Sequence, residues 1–346
     1  MIHLTDIAKA VNLDISVVSR ALSPRPDRHA VIRDETRDII RRTAQRMGYR
    51  PNRQASFLKK GRSATILCFL PGIPNRLYAD LVFGISEKAC CENFPVNFFF
   101  SDRSREFGGF LDQANAIGHC GIISYPPVKM AETMRRELDG YRDGGGNILL
   151  LNVLSNSQGG RIPEAYRDIP QLNIDDHHGG RLAARHLAER GCRALYYWRS
   201  RAHYADRYEG FASEAAARGL PQADLAAGGI PDLLRRKERV GVFAASDFDA
   251  FSLMFLLRDG GVAAGDRVLV VGFDDMVESA VFQPSLTTVH QPTRREGALA
   301  VEKLIRMIFG ERETGERLKP HLVIRESTGG SRPDPDDDPS TECVLE

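Results

Sequence analysis

From Ser63 onward the chain repeats one alternation: a short apolar run, then a stretch whose apolar residues recur with helical spacing. The apolar runs fall at 65–70, 96–100, 121–124, 148–151, 195–198, 240–244 and 268–272, and segments such as 79–91 and 179–190 carry the helical pattern between them. A run too short for a helix and apolar on both faces reads as a buried strand, and strands alternating with helices build a parallel sheet covered on both sides. The runs are too many for one small sheet, so the sequence predicts two α/β lobes with ligand loops at the carboxyl ends of their strands.

The first sixty residues are of another kind. In Thr5–Leu22, TDIAKAVNLDISVVSRAL, Ile7, Ala8 and Val11 share one helical face, and Val18, Ala21 and Leu22 share another. Asn12 suits the left-handed end of the first helix, Leu13 is the apolar residue such a turn buries, and Asp14 is an N-cap for the second. This is a helix-turn-helix, with Ala8 where the helices approach and Ile15, Ser16 and Val17 exposed on the first turn of the second helix, facing base edges. A third helix is predicted over Asp34–Met47, with Ile39, Ile40, Thr43, Ala44 and Met47 as its inner stripe and Gly48 as its stop.

Charge supports a phosphate partner. Residues 1–62 hold fourteen Lys and Arg against six Asp and Glu, a net of +8 on a chain whose total is +1. Ile15, Ser16 and Val17 cannot make the paired hydrogen bonds to guanine or adenine that Arg, Asn or Gln make, so direct readout is thin. Arg20 is the candidate for a guanine contact, with a phosphate contact as the alternative. In Tyr49–Gly61, Asn52 can cap a helix of about two turns, too short to persist alone in water. The end of the chain, 333–346, has six acids and no Lys or Arg and is expected to be disordered.

Other classes find little support. No apolar run approaches a membrane span, and the N-terminus lacks the apolar core of a signal peptide, so a cytoplasmic protein is expected. The six cysteines show no CxxC spacing and read as reduced thiols. Asp175-Asp176-His177-His178 with His186 forms no H-x-x-x-H pair, and the glycine clusters at 144–146 and 228–229 lack the spacing that cradles phosphates. No metal, no cofactor and no catalytic constellation is predicted. The alternatives, a metal-dependent enzyme or a small-molecule-binding protein on the same fold, leave the basic N-terminal module unexplained.

Several stretches together resemble one family: Val18-Ser19-Arg20, Tyr49-Arg50-Pro51-Asn52, the segment 74–85 (PNRLYADLVFGI), and the C-terminal runs Ser246–Ala250, Val270–Asp275 and Pro284–Gln291. In their order and spacing the chain resembles the LacI family of bacterial transcriptional repressors, from about Leu4 to about Gly330. The resemblance implies a helix-turn-helix headpiece at 1–50, a hinge helix at 51–62, and a two-lobed core at 63–330 like periplasmic sugar-binding proteins, with parallel sheets. Its N-lobe would take about 64–190 and 292–319, its C-lobe about 191–290 and 319–330, with the chain crossing between them three times; 331–346 is the acidic tail.

By the same resemblance, a homodimer binds a pseudo-palindromic double-stranded DNA operator. Thr5, Ile15, Ser16, Val17, Ser19 and Arg20 would meet the major groove; Asn52, Arg53, Ala55 and the intercalating Leu58 would meet the minor groove. Arg207, in the Arg207–Phe211 motif R-x-x-G-F, and Asp274 would hold a small-molecule effector, with Ser246, Asp247, Phe248, Asn75 and Gln291 as further contacts. Ile230 stands where many members stack an aromatic ring on the ligand, and Trp198, at a strand end, is the candidate replacement, with core packing, the more frequent role of a lone aromatic, as the alternative. Arg199, Arg201 and His203 after it favour an anionic or highly hydroxylated ligand among sugars, sugar acids and nucleobases. Whether the ligand induces or co-represses, and whether dimers pair further, stay open.

Overall fold

The computed structural model describes residues 2–23, 32–49, 63–72, 76–101, 104–118, 121–126, 132–154, 161–199 and 204–331. The headpiece holds three helices: α1 (Leu4–Val11), α2 (Ile15–Ala21) and α3 (Asp34–Arg46). Asn12 ends α1 at φ 52° and ψ 46°, and the Leu13 N–H donates to the Ala8 carbonyl at 3.1 Å. The Asp14 carboxylate caps α2 by accepting from the Ser16 N–H at 2.7 Å. Ile7, Ala8, Val18, Ala21, Ile40 and Ala44 close a small core. Ile39 departs from the expected stripe: it is 54% exposed, because its neighbour Ile40 faces the core and consecutive helical residues point about 100° apart.

The core begins with β1 (Ile66–Leu70), α4 (Arg76–Cys91), β2 (Val96–Phe100), α5 (Ser104–Ile117), β3 (Gly121–Ser124), α6 (Glu132–Asp143), β4 (Asn147–Leu151) and β5 (Gln171–Ile174). It continues through α7 (Asp176–Glu189), β6 (Ala194–Trp198), α8 (Ala205–Ala217), β7 (Gln222–Leu225), α9 (Ile230–Arg235), β8 (Val240–Ala244), α10 (Asp247–Asp259), β9 (Val268–Asp274), α11 (Val277–Val281) and β10 (Thr287–His290). It ends with α12 (Thr293–Ile308), β11 (Glu316–Leu318) and β12 (His321–Val323).

Two six-stranded sheets result, ordered β11-β5-β4-β3-β1-β2 and β12-β10-β9-β8-β6-β7, parallel throughout except for the β10–β12 pair. In the first sheet Ile66, Cys68, Leu149 and Leu172 pack under α4 and α12, while Leu67, Phe69, Ile122 and Ile148 pack under α5 and α6. The second sheet buries Val240, Val242, Val268 and Val270 against α10, and Leu195, Phe243, Leu269 and Val271 against α7 and α8. The chain passes between the sheets at Asp175, at Gln291-Pro292 and at Lys319-Pro320.

The first lobe therefore ends at Ile174, short of the boundary expected near 190. The cause is α7, whose Ala183, Ala184 and Leu187 belong to the core of the second sheet. Strand β5 escaped the apolar-run reading because Gln171 and Asn173, polar yet buried, interrupt it. Their amides are satisfied locally: Gln171 donates to the Tyr166 carbonyl at 3.1 Å, and Asn173 accepts from the Leu154 N–H at 3.0 Å.

Each lobe has one pair of helices in direct backbone contact. A methyl group on Gly180 of α7 would collide with the Arg207 carbonyl oxygen, and one on Gly210 of α8 with the His177 carbonyl oxygen. Gly84 of α4 and Gly297 of α12 stand in the same relation to the carbonyls of Arg294 and Leu81. By contrast, nothing lies within 4 Å of a methyl placed on Gly109 of α5. Gly210→Ala is expected to destabilise the core by about 3 kcal/mol through overpacking. Gly109→Ala should stabilise it by up to about 1 kcal/mol through the unfolded chain. Denaturant midpoints of the two variants check this; equal shifts would show that the helix contact is not tight.

Candidate functional site

The headpiece presents its second helix to solvent. Ile15, Ser16, Ser19 and Arg20 are exposed and Val17 is half-buried against the small core, while Thr5 is exposed on the first turn of α1. The face that reads outward is thus short and apolar to hydroxylic, with one guanidinium at its far end. Asn52, Arg53, Ala55 and Leu58 lie outside the described residues, as does Asn75 of the core.

The second candidate site is the cleft where the strands of both lobes end and the chain crosses over. Its anchor is Arg207, on the first turn of α8 and only 4% exposed. Its Nε donates to Asp176 Oδ2 at 3.1 Å and its Nη1 to the Ala245 carbonyl at 2.7 Å; Asp274 Oδ1 stands 3.6 Å from Nη1. The guanidinium lies between two rings, 4.1 Å from the centre of Tyr204 and 3.6 Å from that of Phe273. A planar, delocalised cation fits such a slot, and an ammonium would not fill it.

Asp274 ends β9 at φ 125°, a conformation that L residues rarely adopt, and its Oδ1 accepts from Gln291 Nε2 at 2.7 Å. Gln291 stands at the second crossing, so the hydrogen bond ties the cleft wall to the hinge. Burial raises the Asp274 carboxyl above the usual carboxylate range even though Arg207 beside it acts the other way. The next residue behaves oppositely. Burial would raise Asp275 too, but hydrogen bonds from His290 Nδ1 at 2.9 Å and Arg325 Nη2 at 2.8 Å outweigh it and hold Asp275 below that range.

The first lobe contributes the opposite wall. Asn152, at the end of β4, donates to the Tyr125 hydroxyl at 2.8 Å and to Glu296 Oε2 at 3.2 Å, and accepts from the Ile174 N–H at 3.0 Å. Tyr78 meets Tyr125 edge to face, their ring centres 5.7 Å apart. Burial pushes the Tyr78 phenol up to about 12, and the charges of Asp274 from the second lobe and Glu296 from the first add to that shift. Tyr78 therefore sits where the two walls face each other.

The structure separates the expected effector contacts. Arg207, Asp274 and Gln291 come together, and Ser246 borders them beside Ala245, though its hydroxyl caps α10 by accepting from the Asp249 N–H at 3.2 Å. Asp247 does not face the cleft freely: it is fully buried and accepts from Thr288 Oγ1 at 2.5 Å, Ser279 Oγ at 2.6 Å and the Met276 N–H at 2.8 Å. It is a strut between α10 and the strand ends. Phe248 is 60% exposed on the outer face of α10. Trp198 is 5% exposed, packed among Leu225, Ile230, Leu233 and Ala244, so it is core and offers no ring to a ligand.

Asn152, Tyr78, Tyr125 and Glu296 are not singled out by the sequence, and Asp176 enters there only within the 175–180 cleft loop and helix start. One signal was present: each polar residue among them follows the end of an apolar run or begins a helix just after a lobe crossing.

Comparison with known proteins agrees with this arrangement. Residues 184–328 match the family model of the periplasmic binding protein-like domain. The HTH-type transcriptional regulator RegA of Clostridium saccharobutylicum is 26% identical, over 94% of this chain and 98% of its own. Among solved structures, the complex of the transcriptional regulator CelR with cellobiose superposes with a TM-score of 0.61 at 22% identity, covering 94% of this chain and 100% of that one. The Lac repressor dimer bound to operator and the anti-inducer ONPF gives 0.59 at 18% identity, covering 94% and 99%. A helix-turn-helix ahead of a two-lobed core is thus matched, over nearly the whole length of this chain, by HTH-type transcriptional regulators.

Proposed function

We propose that this chain is a dimeric repressor whose affinity for a pseudo-palindromic operator is set by a small hydroxylated molecule held between its lobes. The observation that carries this reading is one polar cleft at the three crossings, built by Arg207, Asp274 and Gln291 from one lobe and its hinge and by Asn152 and Tyr78 from the other. A ligand that touches both walls favours one lobe angle over another. It shifts operator affinity only by the difference between its affinities for the two arrangements. The cellobiose held by CelR suggests a carbohydrate here, recognised by hydroxyl groups at Asp274 and Gln291.

Residues 51–62 serve in this proposal as a hinge that folds only on DNA, so its ordering free energy is charged to operator binding. Leu58 would wedge between base steps at the centre of the site, where pyrimidine-purine steps unstack at least cost. The protein acts by binding and catalyses nothing, and it works in the cytoplasm, where its operator is; among the described residues no helix is long and apolar enough to cross a membrane.

The exposed apolar residues support a dimer. Phe248, Phe255, Val277 and Val281 stand out from α10 and α11, with Phe255 edge-on against Phe282 at 5.3 Å; on the first lobe Phe83 and Phe100 are 58% and 55% exposed. A second copy of the chain would take such apolar side chains out of water.

Three outcomes follow from this reading. Asp274→Asn should weaken effector binding by about 1.5–3 kcal/mol while effector-free operator binding stays unchanged, measured by calorimetry and gel shift. Loss of DNA binding with unchanged ligand affinity would sink the cleft assignment. Val281→Asp should give monomers in sedimentation and lower operator affinity; a dimer of undiminished affinity would contradict the proposed interface. Arg20→Ala should weaken operator binding, and a loss equal on specific and unrelated DNA would make Arg20 a phosphate contact rather than a base reader.

A further inference from the structure

The cleft contains more buried carboxyl groups than the chain neutralises. Glu296, on the first turn of α12 just past the second crossing, is fully buried; its Oε2 accepts from Asn152, and its Oε1 has no hydrogen-bond partner. Asp176, at the start of α7 just past the first crossing, is 3% exposed; its Oδ2 accepts from Arg207, and its Oδ1 has no partner. One orphaned oxygen therefore comes from each lobe, and the two groups are close enough that the charge of Asp176 raises the pKa of Glu296.

The only cation that the described contacts bring to this cluster is Arg207, and it is already shared between Asp176 and Asp274. Its Nη1 is further engaged by the Ala245 carbonyl. A buried carboxylate oxygen without a donor is costly, and native chains rarely keep one without a partner that arrives from outside. An anionic ligand would add a negative charge beside acids that burial already disfavours ionising. A neutral sugar could hydrogen-bond the two oxygens with Glu296 protonated but would gain no ion pair from them.

We propose that the effector carries a basic nitrogen, as an amino sugar does, and that its ammonium group is held between Glu296 Oε1 and Asp176 Oδ1. An ammonium supplies several charge-assisted donors at once and so reaches carboxylates on both lobes. The edge-to-face pair Tyr78 and Tyr125 beside Glu296 gives the cation and the apolar face of a sugar ring an aromatic wall. This inference rests on the reading of the cleft as the effector site, and it revises the expectation of an anionic ligand raised by the basic residues after Trp198.

Burial pushes Glu296 up to about 8, so in the empty cleft it is largely protonated at neutral pH. An ammonium ligand draws it to ionise, and binding must release a proton. The groups facing Glu296 are Asn152, Tyr78, Tyr125 and Asp176; burial also raises Asp176, though Arg207 beside it opposes the shift.

Calorimetry of the full chain with glucose, glucosamine and glucuronate, and with galactose, galactosamine and galacturonate, tests this. The amino sugar of at least one series should bind at least about tenfold tighter than its neutral parent. Its affinity should rise between about pH 5.5 and pH 7, where the free amine is still protonated and Glu296 gives up its proton to the buffer on binding. In Glu296→Gln both the preference and the proton release should disappear. A neutral sugar or a uronate binding as tightly as the amine, or no response to either amine at millimolar concentration, overturns the basic-nitrogen inference but leaves the cleft reading intact. Unaltered affinity of a bound sugar in Arg207→Lys and Asp274→Asn together would instead overturn the cleft reading itself. Because Glu296→Gln preserves shape and the Asn152 contact, its fold can be verified by the same melting curve that reports ligand binding.

Discussion

The buried guanidinium of Arg207 is the interaction on which the second lobe's cleft wall depends. It joins four separate pieces of chain: Asp176 after the first crossing, the Ala245 carbonyl after β8, Asp274 at the end of β9, and the rings of Tyr204 and Phe273 on either face. Apart from Phe273 and Asp274, which are consecutive, these residues lie far apart in sequence. A charge removed from water so completely is retained only where its partners are fixed, and here the fixing comes from backbone contact. Gly180 lets α7 touch α8 at the Arg207 carbonyl itself, so the helix packing and the side-chain geometry are one constraint. The second lobe does not merely carry the site; the close approach of its two helices sets where the cation stands.

Much of this was legible in the chain, for reasons that can be named. The helix-turn-helix is a local structure, and local rules place it: Asn12 takes the left-handed turn, Asp14 caps the next helix, and Ala8 lies in the small core. Most strands of the two sheets are uninterrupted apolar runs, and those were readable. Strand β5 was not, because Gln171 and Asn173 are buried polar residues whose partners, such as Tyr166 and Leu154, become neighbours only on folding. The lobe boundary failed for a related reason. Nothing in Asp176–Glu189 says which sheet the helix will cover, since its apolar face fits either.

The candidate site divides the same way. Arg207, Asp274 and Gln291 were readable because they sit in motifs that resemble those of a family. Asp247 was misjudged because a carboxylate beside an N-capping serine looks like a ligand contact in sequence, while three donors from β10, α11 and the segment before α11 consume it in the fold. For Trp198 the sequence leaves stacking on a ligand and core packing both open, because a strand end has two faces; the fold buries it in the cluster that holds Ile230 and Leu233. Glu296 carries no sequence signal, and Asp176 is legible only as part of a loop, because what sets both apart is partners they lack, a property that only burial reveals.

Those missing partners bear on how the lobes move. Glu296 rides on α12 with the first lobe, and Asp176 and Asp274 ride with the second. Any motion that brings the walls together draws carboxyl groups toward one another, so closure of the empty cleft is opposed by their mutual repulsion or by the cost of keeping them protonated. A bound ammonium reverses the sign of that interaction. The same charges that oppose closure of the empty cleft then favour it when occupied, which gives the ligand a large differential affinity for the closed arrangement. Gln291 ties the cleft wall to the second crossing, because it hydrogen-bonds Asp274 while standing in the segment between β10 and α12.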